Sequence, residues 1–233
     1  TEAYGLAFNT DGSRMFICGL SSDSVNEYAL STDFDISTSV FTDAFSVSAQ
    51  GATPLGVTFN SSGTEMFVVE QSAAEVNRYA LTTGFDVSTA SFVDSFSIAG
   101  QDAAPVNLAF NTDGTKMFVS RFSSNLFIFE YNLSTPFDIS AATYAGDAQR
   151  CELDSDADNI GDLVISSDGL KMFFVQRAIN NNDNSDRIYR YDLTKPYDIS
   201  TCEYVADVNP DFSDTSYDIS TAVSDPWRFG NLG

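Results

Sequence analysis

The chain has 233 residues, 43% of them hydrophobic and 13% aromatic, which is material for one sizeable core. A total of 11 Lys plus Arg against 33 Asp plus Glu gives a net charge of −22, which repels phosphate backbones and anionic membranes and argues against nucleic-acid partners. No apolar run is long enough to span a membrane, and the absence of His removes Ser-His-Asp and Cys-His arrangements and imidazole metal sites.

In chain order, residues 4–9 read as a short strand and Thr10-Asp11-Gly12 as a tight turn, with Gly12 free to take positive φ and Asp11 supplying local hydrogen bonds. Residues 14–19 form the returning strand, a third strand ends in Glu27-Tyr28-Ala29-Leu30, and Phe34-Asp-Ile-Ser37 turns into a fourth with alternating Phe41, Phe45 and Val47. The unit then repeats. Gly5-Leu-Ala-Phe-Asn-Thr-Asp-Gly-Ser-Arg-Met-Phe16 returns as Gly56-Val-Thr-Phe-Asn-Ser-Ser-Gly-Thr-Glu-Met-Phe67, as Asn107-Leu-Ala-Phe-Asn-Thr-Asp-Gly-Thr-Lys-Met-Phe118, and more loosely as Asp162-Leu-Val-Ile-Ser-Ser-Asp-Gly-Leu-Lys-Met-Phe173. Phe8 to Phe59 and Phe59 to Phe110 are each 51 residues, and Phe110 to Ile165 is 55.

A period near 50 with four antiparallel strands per unit predicts an all-β fold, a β-propeller of four recognisable four-stranded blades. The repeats fall at residues 4–53, 54–104, 105–159 and 160–224 of a single 1–233 unit, with 225–233 as a tail or the start of a further repeat. The blades could close as a four-bladed ring or form part of a larger propeller. The entry of the chain at Thr1 in the middle of a repeat, and the tail Asp225-Pro-Trp-Arg-Phe-Gly-Asn-Leu-Gly233 where a fifth should open, lean towards the second. A second Asp-Ile-Ser phrase, from Tyr217 to Ser220, also breaks the register of the last repeat.

The Phe-x-x-Asp-Gly-x-x-Met-Phe turn resembles the Asp-Gly hairpins of WD-like and TolB-like propeller repeats. With Tyr-x-Leu-Ser-Thr-x-Phe-Asp-Ile-Ser-Thr added, the pattern resembles propeller repeats of marine bacteria and their viruses, including tail-fibre-like surface proteins. The resemblance covers nearly the whole chain and implies a fold, since propellers host many activities.

One face of the array varies. The interval from the Met of the second strand to the Tyr of the third is 13 residues in the first two repeats, 14 in the third and 19 in the fourth, the excess being Ile179-Asn-Asn-Asn-Asp-Asn-Ser-Asp186. The connection entering the same blade reads Cys151-Glu-Leu-Asp-Ser-Asp-Ala-Asp-Asn159. Alternate carboxylates on an irregular turn can converge on one hard cation, so Asp154, Asp156 and Asp158, helped by Asp183 and Asp186, form a candidate calcium site. The match is partial, because Asn159 and Ile165 stand where an EF-hand-like loop has Gly and Glu. An ordinary acidic surface loop is the alternative. Cys151 and Cys202 could pair in an oxidising compartment, and Cys18 reads as a small core residue.

No carboxylate stands out at the inner-strand positions Leu6, Phe8, Val57, Phe59, Leu108 and Phe110, which read as blade-to-blade packing. The expectation is therefore a non-enzymatic, extracellular, secreted or virion-surface module. Its partners would be a cell-surface glycan, a protein receptor or neighbouring virion or surface proteins, with no nucleic acid and no membrane insertion. A purely structural fibre, tail or surface-layer module is the alternative, and a polysaccharide- or lactone-acting hydrolase a further one.

Overall fold

The alternating strands and Asp-Gly turns build four antiparallel sheets. The computed structural model describes residues 3–20, 22–101, 104–121, 127–153, 160–176 and 187–208. Blade one contains β1 (Ala3–Phe8), β2 (Arg14–Gly19), β3 (Ser24–Leu30) and β4 (Ser39–Ser46). Blade two contains β5 (Pro54–Phe59), β6 (Glu65–Glu70), β7 (Glu75–Leu81) and β8 (Ala90–Ser97). Blade three contains β9 (Pro105–Phe110), β10 (Lys116–Arg121), β11 (Phe127–Asn132) and an outer edge split into β12 (Thr143–Tyr144) and β13 (Cys151–Glu152). Blade four contains β14 (Ile160–Ile165), β15 (Lys171–Gln176), β16 (Arg187–Leu193) and β17 (Cys202–Val208). Strand order within each blade follows the sequence, and no α-helix occurs among the described residues. The protein is thus an all-β, four-bladed β-propeller.

Each Asp-Gly turn is locked from two sides. Asn9 Oδ1 accepts from the Arg14 N–H at 2.9 Å, and Asp11 Oδ1 accepts from the Ser13 N–H at 2.9 Å. Gly12 takes φ 76°, and a Cβ on it would run into the Phe34 ring. Phe34 itself sits at φ 59°, a costly conformation for a bulky residue, as do Phe85, Phe137 and Tyr197 in the other blades. The glycine and the left-handed aromatic form a pair, the ring covering the bare backbone.

Among the described residues, neighbouring blades pack through three apolar cores, one for each pair of consecutive blades. Phe16, Cys18 and Val25 of blade one meet Val57, Met66, Tyr79 and Val87 of blade two. Corresponding residues join blade two to blade three and blade three to blade four. Each fully buried side chain of this size contributes about 1.5–3 kcal/mol. A polar clamp accompanies each core, with a cation of one blade donating to the carbonyl of the left-handed aromatic of the next. Arg14 Nη1 donates to Phe85 O at 2.9 Å, Arg78 Nη1 to Phe137 O at 3.4 Å, and Lys116 Nζ to Tyr197 O at 2.9 Å. Glu27, buried, accepts from the Val87 N–H at 3.0 Å and pairs with Arg14.

Cys151 and Cys202 are disulfide-bonded, stapling the outer edge of blade three to the first residue of β17. Cys151 belongs to a short outer strand paired with Phe127 and Ile128, not to the connection between blades where the sequence places it. The 3-10 turn Asp147–Gln149 interrupts the outer edge and hides this strand from a pattern reading.

Candidate active site

The opening residues of the four repeats occupy equivalent places at the start of the innermost strands: Gly5 opposite Cys18, Gly56 opposite Val69, Asn107 beside Ser120, and Asp162 in blade four. Every innermost strand is irregular here, with register shifts between Ala3 and Gly5, Pro54 and Gly56, Val119 and Arg121 (on the partner strand), and Ile160 and Leu163. Such bulges re-aim side chains.

The first two positions are glycine because the backbones crowd. A Cβ on Gly5 would lie 2.7 Å from Leu55 O, and one on Gly56 would lie 2.9 Å from Asn107 Cα. The third and fourth carry polar side chains that meet. Asn107 Nδ2 donates to Asp162 Oδ1, while Asn107 Oδ1 accepts from the Leu108 N–H at 2.5 Å. The Leu163 N–H also donates to Asp162 Oδ1, at 2.9 Å. Ser120 fixes the Asn107 backbone from the other side, with Oγ accepting from Asn107 N at 3.2 Å. Among the described residues no donor reaches Asp162 Oδ2. Burial lifts the Asp162 carboxyl to about 6, against the lowering effect of the Leu163 N–H.

The other groups at this end of the axis are occupied or inert. Glu70 is buried and fully engaged in holding the entry to blade two, accepting from Thr53 N at 2.9 Å, Thr53 Oγ1 at 2.5 Å and Ser72 Oγ at 2.6 Å. Burial pushes the Cys18 thiol up to about 12, against a hydrogen bond from the Gly5 N–H, and the charges of Asp162 and Glu70 add to the rise. Cys18 is therefore no nucleophile at neutral pH. What remains is one partly buried carboxylate with a positioned oxygen, a receptive second oxygen and a basicity suited to taking a proton near neutrality.

The candidate calcium ligands Asp154, Asp156, Asp158, Asp183 and Asp186 all lie outside the described residues, and that expectation rests on the sequence pattern alone. Among the described residues no group of three or more His, Cys, Asp or Glu side chains could hold a metal ion. Asp162 and Asn107 escaped the sequence reading because it weighed the alternate inner-strand positions. The signal was present, since the four quoted repeats open on Gly, Gly, Asn and Asp.

No family model matches the chain, and no curated protein does. Solved structures do match. A candidate 6-phosphogluconolactonase from Bacteroides uniformis matches with a TM-score of 0.56 at 14% identity, over 89% of this chain and 55% of that one. The periplasmic gluconolactonase of Pseudomonas aeruginosa matches at 0.54 and 13%, over 89% and 54%. A nidogen/laminin complex matches at 0.55 and 11%, over 87% and 64%. At such identities the likeness shows the fold, and the chain spans about 55% of the length of the lactonase structures. These likenesses correct the expectation of a non-enzymatic surface module. Lactonase names recur among the proteins sharing the fold, and the pairing of Asp162 with Asn107 removes the premise that no carboxylate occupies an inner-strand position.

Proposed function

We propose that the protein is a hydrolase acting on a sugar lactone, with Asp162 as general base. The observation that carries this reading is the Asp162 carboxylate, held by Asn107 and lifted to about 6 at the opening of an innermost strand. At pH 7 roughly nine-tenths of such a group is ionised and able to take a proton from water. The resulting hydroxide attacks the lactone carbonyl carbon. The tetrahedral intermediate then collapses, breaking the bond to the ring oxygen, and that oxygen recovers the proton from Asp162. No external oxidant or metal is needed for the balance. The net charge of −22 favours a neutral lactone such as gluconolactone over its 6-phosphate.

Two further points support details of this reading. The Cys151–Cys202 disulfide favours a location outside the reducing cytosol, as the periplasmic gluconolactonase has. The finer likeness to marine bacterial and viral surface proteins rests on the repeat pattern alone.

The test is proton release from gluconolactone and its 6-phosphate, corrected for spontaneous hydrolysis. The wild type should accelerate hydrolysis and Asp162→Asn should lose about a hundredfold or more, the usual weight of a general base. Turnover no faster than buffer, or an Asp162→Asn variant as active as the wild type, refutes the proposal.

A further inference from the structure

Each junction between consecutive blades is closed at its outer end by the same two positions. One lies on the outer strand of the earlier blade, paired with Val25, Val76 or Ile128 of the third strand. The other caps the 3-10 turn of the later blade. Between blades one and two these are Phe45 and Ala90, and between blades two and three Phe96 and Ala142, each pair sharing one apolar core. The rings also rest edge-on against tyrosines of the following blade, Phe45 on Tyr79 and Phe96 on Tyr131, each with centroids 5.5 Å apart. Between blades three and four the same two positions hold Cys151 and Cys202. Spacing gives the same equivalence: Phe45, Phe96 and Cys151 each stand 11 positions before the opening residue of the next blade, Gly56, Asn107 and Asp162.

A ring that closes a junction by packing holds in any redox state, and a disulfide does not. The strand that carries Cys151 is also the shortest of its kind. β4 and β8 run for 8 residues each, whereas β13 has 2, paired with Phe127 and Ile128. With the bond reduced, two small thiols stand in place of a ring and a methyl, and the apolar contact of a Phe side chain is missing. This is the junction that joins Asn107 to Asp162 at its inner end.

We propose that the Cys151–Cys202 bond is a redox-controlled latch on blade four, holding Asp162 against Asn107 while oxidised and releasing it when reduced. As a control on hydrolysis, this rests on the reading of Asp162 as general base. The reductant is a dithiol. Cys151 is buried and Cys202 half-buried, so a thiolate of the dithiol attacks the Cys202 sulfur. The S–S bond breaks, and Cys151 leaves as a thiolate that takes up a proton. The second thiol of the reductant then displaces Cys202, which is protonated in turn. Two electrons pass to the protein, and the dithiol departs as a disulfide.

Hydrogen exchange of the full chain tests the latch without any substrate, before and after dithiothreitol has freed both cysteines by thiol titration. Reduction should raise exchange over β14, where the Leu163 N–H donates to Asp162, by about tenfold or more, and leave β5 and β6 protected. Gluconolactone hydrolysis should fall by about tenfold or more in the same samples and return on reoxidation. Cys151→Phe/Cys202→Ala restores the pair found at the other two junctions, so dithiothreitol should change neither readout in that variant. Unchanged exchange over β14, equal loosening of all four blades, turnover untouched by reduction, or a reductant effect that persists in the variant overturns the latch. Oxidised protein without turnover overturns the reading of Asp162 as base, and exchange over β14 then decides the latch by itself.

Discussion

Replacing Asp162 by Asn should stabilise the protein while abolishing its activity. Lifting the carboxyl from 3.8 to about 6 corresponds to about 3 kcal/mol of unfavourable free energy whenever the folded protein holds it ionised. The side chain is only partly buried, so solvent screening reduces this to about 1–2 kcal/mol. The Asn side chain keeps an acceptor for Asn107 Nδ2 and the Leu163 N–H, so little is lost in return. The sign follows from proton binding. Between about pH 4 and 6 the folded wild type binds more protons at Asp162 than the unfolded chain, so its stability falls as pH rises through that window. Urea unfolding of both proteins at pH 8 and at pH 4 is the assay. Asp162→Asn should be the more stable at pH 8, and the gap should close at pH 4, where the wild-type carboxyl is protonated. In parallel, wild-type hydrolysis should rise through about pH 6 as the base ionises. An Asp162→Asn variant less stable than wild type at pH 8, or a gap that persists at pH 4, would refute the reasoning and make Asp162 an ordinary structural carboxylate.

Two other predictions concern the frame. Breaking the Cys151–Cys202 bond, which spans 51 residues, should cost about 4 kcal/mol in the chain-entropy treatment. Denaturant unfolding of the Cys151→Ala/Cys202→Ala protein should match that of reduced wild type, and an unchanged midpoint would mean that the staple constrains nothing. Gly114→Ala should destabilise by about 2–4 kcal/mol, because φ is 70° and the new methyl meets the Phe137 ring, whereas Gly100→Ala, with nothing within 4 Å of its Cβ, should change stability by less than about 1 kcal/mol. Equal melting shifts for the two variants would show that the aromatic does not rest on the glycine.

The blades were legible because each is specified locally and then restated. Turn chemistry such as Asn9-Thr-Asp-Gly12 needs only neighbours in sequence, and four copies average out the exceptions. The left-handed aromatics were not legible. Phe34 at φ 59° breaks a local rule, and it does so against Gly12, 22 positions earlier, a partner that no local pattern supplies. The site was hidden for a related reason. Strand alternation reads residues as inward or outward, but the bulges that open the innermost strands break that alternation at the residue in question. Asp162 also gains its meaning from Asn107, 55 positions away in the neighbouring blade. Yet the site is not placed at random in the ring. Backbone crowding demands glycine at positions 5 and 56, so blades one and two have no room for a side chain there. Only where the demand relaxes can the same position carry an amide and a carboxylate. The repeat therefore sets where chemistry is possible, and departure from glycine in blades three and four supplies it.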